Sequence, residues 1–193
     1  MTSCAFLSHG TIANDKNIMT FAATWQGVID WIRGAPIKPI TPPIPAKQLM
    51  KAGQDAIDLI KSFEGCRLEV YKDGNGILTI GWGHTGDDVV WNTKWTQDYA
   101  DYKLLQDVQK KAVQPLNRMI DVTLSQNQFD ALVSLCYNIG QGHFSTSKVL
   151  GCINKELFYS VPEAILEWDL INDIPSAGLT RRRKAEVALW LKS

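Results

Sequence analysis

The chain has 193 residues, 45% hydrophobic and 21% charged, which suits a soluble globular protein with room for one sizeable domain and an extension. Its 20 Lys and Arg balance its 20 Asp and Glu. A nucleic-acid binder would carry a basic excess, so no nucleic-acid partner is expected, and any attraction to an anionic cell wall must be local.

In chain order, the first ten residues carry no Lys or Arg and no small-residue cleavage site follows, so no secretory signal is read. No run of eighteen apolar residues exists, so no conventional membrane span is expected. Residues 15–33 read as a helix with Ile18, Phe21, Trp25, Val28 and Ile32 on one stripe, stopped by Gly34 and Pro36. That stripe fits docking on the main domain or on a carrier protein, contact with a membrane surface, or a wall-binding module. Five prolines in the ten residues 36–45 then favour an extended spacer. The organisation is therefore an extension over 1–35, a linker over 36–47 and a main domain over 48–193.

In the main domain, residues 54–63 read as a short helix whose Ala56, Ile57, Ile60 and Phe63 share a face. Two strand-like runs, 68–71 and 77–83, flank Asp73-Gly74-Asn75-Gly76, a turn by chemistry, and so predict a hairpin. Thr96 caps a helix with Tyr102, Leu105, Val108 and Ala112 expected inside. Ser125 and Gln128 form a capping box ahead of Phe129, Leu132, Val133 and Cys136, with Gly140 as the stop. A short helix over 147–154, a second capping box from Ser160 to Glu163, and a final helix from Thr180 complete the chain. The fold class is α+β, predominantly helical, with one small hairpin.

Cys4, Cys66, Cys136 and Cys152 show no zinc-type spacing and read as reduced thiols. No metal, nucleotide or other cofactor is implied, since neither a phosphate-cradling glycine loop nor an HExxH pair is present.

The chemistry concentrates in residues 64–84. Glu64 ends a helix beside Phe63, and apolar burial there would suit a proton donor. Asp73 sits in a turn that solvent would keep ionised, and Thr79 on the returning strand offers a hydroxyl for water. An acid, a carboxylate and a water-holder are what glycosidic hydrolysis needs. Taken alone, a helix-end Glu and a turn Asp are also ordinary surface features.

This segment resembles the active-site signature of the phage lysozymes, or endolysins: Glu, eight residues, Asp, five residues, Thr. Glu64, Asp73 and Thr79 fit that spacing without gaps. Downstream, Ser125 to Leu132, Asn138-x-Gly140, Phe144-x-x-Ser147 and Gly178 to Glu186 match in order. The resemblance covers about residues 50–193. It implies a two-lobed, lysozyme-like domain with a cleft for peptidoglycan glycan strands, and a muramidase cutting between N-acetylmuramic acid and N-acetylglucosamine. By the same resemblance Glu64 would protonate the leaving oxygen, Asp73 would stabilise positive charge on the sugar or orient water, and Thr79 would position the attacking water. Asn138, Phe144 and Ser147 would line the cleft. Arg182 or Arg183 would pair with Glu64, and the residues alone do not choose between them. His84 reads as a structural pair, Glu69 as a solvated strand residue, and Trp82, Trp91 and Trp95 as packing residues.

An inverting reaction is expected from the family's water-holding threonine. The expected role is host lysis by a phage or prophage, with a monomeric enzyme made in the host cytoplasm and acting in the periplasm or wall. A cell-wall-degrading effector delivered by a secretion or tail device, an inactive glycan-binding module, and a lytic transglycosylase remain alternatives.

Overall fold

A computed structural model describes residues 48–192. The expected helix over 15–33, the extension 1–35, the linker 36–47 and Cys4 lie outside the described residues.

Helix α1 spans Gln54–Glu64. Strands β1 (Arg67–Lys72) and β2 (Leu78–Gly81) then pair antiparallel, with Tyr71 opposite Thr79 and a register irregularity between Arg67 and Tyr71. Helix α2 (Gln97–Val108) runs through one π-helical turn, Gln109–Val113, into α3 (Gln114–Met119). Helix α4 spans Gln126–Ile139, and α5 (Gln141–Ser145) and α6 (Lys148–Asn154) follow. A 3-10 turn at Phe158–Ser160 leads into α7, Val161–Leu166. A second small hairpin, β3 (Leu170–Ile171) with β4 (Ile174–Pro175), precedes α8, Ala177–Trp190.

The organising element is α4. Every residue from Phe129 to Cys136 is buried, and the helix packs against α1, α3, α8 and the π turn. The expected capping box is present: Ser125 accepts from the Gln128 amide, and the Gln128 side chain accepts from the Ser125 amide. Phe129, Leu132, Leu135, Leu116, Ile60, Ile153 and Ile165 form the centre of the core. Asp130 reaches from α4 to accept the Gly53 amide at 2.7 Å, which anchors the start of α1.

Three expectations need correction, and one element was not foreseen. Along α2 and the π turn the buried stripe is Ala100, Leu104, Val108 and Ala112, so Val108 and Ala112 are inside as expected, while Tyr102 and Leu105 are more than half exposed. Alanine and leucine set the inner face there, and the tyrosine faces solvent. Ser160 caps nothing, because it closes the 3-10 turn with helical dihedrals, φ −90° and ψ −11°. The last helix starts at Ala177 with Ser176 as its cap, and Thr180 instead donates to Asp169 at 2.7 Å. The β3–β4 hairpin was not expected; Asn172 and Asp173 turn it with φ of 49° and 62°.

Gly81, at the end of β2, has φ of 64°, and a Cβ there would come within 2.9 Å of the Trp95 ring. Gly81→Ala is expected to cost about 2–4 kcal/mol, from left-handed strain plus overpacking. Urea denaturation measures it, and a loss under 1 kcal/mol would mean that the loop carrying Trp95 yields freely.

Candidate active site

Glu64 is the last residue of α1, and Gly65 follows it with φ of 59°, which turns the chain directly into β1. The carboxylate is 23% exposed. Its surroundings differ from the apolar setting expected: Arg182 Nη1 donates to Oε1 at 2.6 Å, while the other oxygen, Oε2, faces the backbone at Gly83, where a Cβ would lie 3.8 Å away. The choice left open by the sequence therefore falls to Arg182. Arg183 turns elsewhere, donating to Asn138 Oδ1 at 2.8 Å and to the Trp168 carbonyl at 3.4 Å.

Arg182 is held at each of its nitrogens. Besides the bond to Glu64, Nε donates to Glu186 Oε1 at 3.3 Å and Nη2 donates to the Ser134 carbonyl at 3.3 Å. Its guanidinium also stands 5.7 Å from the centre of the Phe63 ring. Arg182, Arg183, Glu186 and Ser134 are all buried.

Asp73 is half-buried in the β1–β2 turn. Its Oδ1 accepts the amides of Asn75 at 2.8 Å and Ile77 at 2.9 Å, so one oxygen builds the turn. Among the described residues nothing donates to Oδ2. Thr79 is only 3% exposed, and its hydroxyl donates to the Ile77 carbonyl at 3.0 Å. Toward any further partner that oxygen can only accept.

The expected cleft-lining residues separate. Asn138 is exposed and bonded to Arg183. Phe144 is fully buried in the core and offers no ring face to a sugar. Ser147 caps α6, accepting from the Leu150 amide and donating to the Phe144 carbonyl. Both were expected in the cleft, and both serve the helix junction, because the turn between α5 and α6 needs an apolar plug and a cap.

His84 bridges two carboxylates, Asp107 at 2.8 Å and Asp88 at 3.1 Å, as a structural pair would. Lys103 and His84 hold the Asp88 carboxyl well below the usual carboxylate range. Glu69 is exposed and pairs with Lys94 at 2.7 Å. Trp82 donates to Asp101 at 2.7 Å and its carbonyl accepts from the Tyr137 hydroxyl at 3.3 Å, which pins the segment beside Glu64 to α4. Trp95 packs near His84 and Tyr99, whereas Trp91 is 55% exposed and so does not pack as expected.

Cys136 and Cys152 are buried and Cys66 half-buried, and all three are free thiols. Burial pushes the Cys136 thiol up to about 12. Among the described residues no helix is long and apolar enough to cross a membrane. Two surface cavities of about 420 and 340 Å³ lie around Lys51 and Gln109, and none of the expected site residues line them.

Two groups at this site were not singled out from sequence: Glu186 as a buried carboxylate and Ser134 as its hydroxyl donor. The available signal was the α8 stripe Leu179, Arg182, Arg183, Glu186 and Trp190, which places three charges on the face that carries Trp190 into the core.

Residues 61–186 match the family described as Phage lysozyme. The endolysin of Bacillus phage B103 is 37% identical over 144 residues, covering 74% of this chain and 54% of that protein. The chain thus spans about half the length of the Bacillus phage relatives that it matches. The endolysin of Salmonella phage P22 is 36% identical over 147 residues, covering 74% of this chain and 99% of that one. The solved structure of the endolysin from Escherichia coli O157:H7 phage FAHEc1 aligns with a TM-score of 0.69 at 36% identity, covering 75% of this chain and 95% of that one. The agreement runs from the helix that bears Glu64 to the helix that bears Arg182, and with it the chain belongs to the phage lysozyme family.

Proposed function

We propose that this protein is a muramidase that hydrolyses the β-1,4 bond between N-acetylmuramic acid and N-acetylglucosamine in peptidoglycan. One observation carries the reading: Glu64 is gripped by Arg182 on one oxygen while its second oxygen faces the segment that continues from the hairpin bearing Asp73 and Thr79. The carboxyl is fixed in place yet open to a ligand.

In this reading Glu64 delivers a proton to the bridging oxygen as the bond breaks. Asp73 keeps one oxygen on its own turn and presents the other to the positive charge that grows on the sugar. Thr79, its hydroxyl hydrogen committed to Ile77, accepts a hydrogen from water and leaves that water's lone pair for attack. A water aligned in this way favours inversion at the anomeric carbon. Asn138, exposed and steadied by Arg183, is the remaining residue of the expected cleft set that can meet the glycan. The proposed role is host lysis by a phage or prophage, in keeping with relatives named endolysins. The enzyme would be made in the host cytoplasm, act at the wall, and work as a monomer.

Mass spectrometry of purified peptidoglycan after digestion tests this. Reducing muramic ends are expected. Anhydro ends would make the protein a lytic transglycosylase, and uncut glycan would reduce it to a binding module.

A further inference from the structure

Glu186 is fully buried, and a buried carboxylate is costly to the fold. Packing alone gives no reason for it, since an apolar side chain of similar volume often serves a core as well or better. Its contacts suggest another purpose. Oε1 accepts from Ser134 Oγ at 2.7 Å, from Arg183 Nη2 at 3.1 Å and from Arg182 Nε at 3.3 Å. Oε2 lies 2.8 Å from Arg183 Nε, close enough for charge pairing though not aligned as a hydrogen bond. Glu64, Arg182, Glu186 and Arg183 thus form a chain of alternating charge that sums to zero, and only the Glu64 end reaches solvent.

We propose that Glu186 is a positioning residue for Glu64, acting through Arg182: it captures Nε, so that Nη1 is left aimed at the Glu64 carboxylate. This rests on the reading of Glu64 as the acid. A guanidinium is planar, so fixing Nε at one edge sets where Nη1 points. Glu186 also draws on the Arg182 charge. Without it, the Arg182 charge would act on Glu64 alone, with that of Arg183 uncompensated behind it, and would favour the ionised form, which cannot donate a proton.

The other groups around this chain are few. From α4 come Ser134, Asn138 and the Tyr137 phenol, which burial, Asp107 and Glu64 push upward and so keep neutral. Asp169, before α8, acts on Arg183, and burial pulls the Arg183 guanidinium down. Burial pushes the Glu186 carboxyl up, against the pull of Arg183, Ser134 and Arg182.

The test is the pH profile of peptidoglycan hydrolysis by full-length Glu186→Gln and Arg183→Gln, with Glu64→Gln alongside. Glu186→Gln is expected to lower kcat at neutral pH about tenfold or more at little change in KM. Its alkaline limb is expected to move to lower pH, because a negative charge is removed behind Arg182. Arg183→Gln removes a cation and is expected to move that limb the other way. A purely structural role would lower the melting temperature and leave both limbs in place, which would overturn the proposal. Ser134→Ala, which deletes one oxygen, guards against misfolding of the charge variants: a several-fold fall in kcat is expected, and unchanged kcat counts against the proposal. If Glu64→Gln itself hydrolyses wall normally, the assignment of the acid falls. If Glu64→Gln is dead while Glu186→Gln keeps the wild-type limb, only the positioning role falls.

Discussion

Glu64→Gln is expected to lower peptidoglycan hydrolysis by about 100- to 10,000-fold while the domain stays folded. Glutamine has nearly the same shape, and its carbonyl oxygen can still accept from Arg182 Nη1, so the contact that spans 118 positions of sequence survives in weaker form. The lost element is a proton that can be given to the bridging oxygen. Nothing close by replaces it: Asp73 is tied to its own turn, and the buried Glu186 is enclosed by Arg182, Arg183 and Ser134. Release of reducing ends from purified wall measures the rate, and a thermal melt run in parallel checks the fold. Near-normal hydrolysis by this variant would remove Glu64 from the mechanism.

The second large effect falls on stability. Arg182→Met is expected to destabilise the domain by about 3–5 kcal/mol, because it leaves a buried carboxylate short of one of its two cations. Arg182 joins α8 to α1 through Glu64 and to α4 through the Ser134 carbonyl, so three helices lose a shared contact. Its methylene stem and its contact with Phe63 also cover apolar surface, and methionine restores that part alone. Arg182→Lys should not rescue, since an ammonium cannot offer three fixed directions at once. Melting temperature is the readout, with a fall on the order of 10 °C expected for a domain of this size. A change of only a degree or two would mean that Arg183 alone satisfies Glu186.

The sequence carried the α4 helix well. Phe129, Leu132, Val133 and Cys136 recur at helical steps, Ser125 and Gln128 mark the start, and all of them behave as written. The first hairpin was equally legible, because Asp-Gly-Asn-Gly leaves the chain little choice but to turn. The α2 stripe was misread for a physical reason. Val108 and Ala112 are buried as expected, but Tyr102 and Leu105 look like core by chemistry and face solvent, while Ala100 and Leu104 take the inner positions. The β3–β4 hairpin was invisible because two-residue strands have no period to detect.

At the site, spacing placed Glu64, Asp73 and Thr79 on the expected helix, turn and strand. It did not foresee how much of each side chain is already bonded. Asp73 and Thr79 both spend part of their capacity on the hairpin backbone. Phe144 and Ser147 occupy motif positions for reasons of packing and capping. Glu186 stood in the sequence only as the last residue of a matching motif, and its burial was not foreseen, since charged residues are seldom fully buried.

The grip of Arg182 on Glu64 has a bearing on how the protein is made. Glu64 emerges early in synthesis and Arg182 late, so no nascent chain can make this contact before α8 leaves the ribosome. Prematurely ended products therefore lack the link from α8 to α1, and only a chain translated through its last helix can hold the Glu64 carboxylate in place.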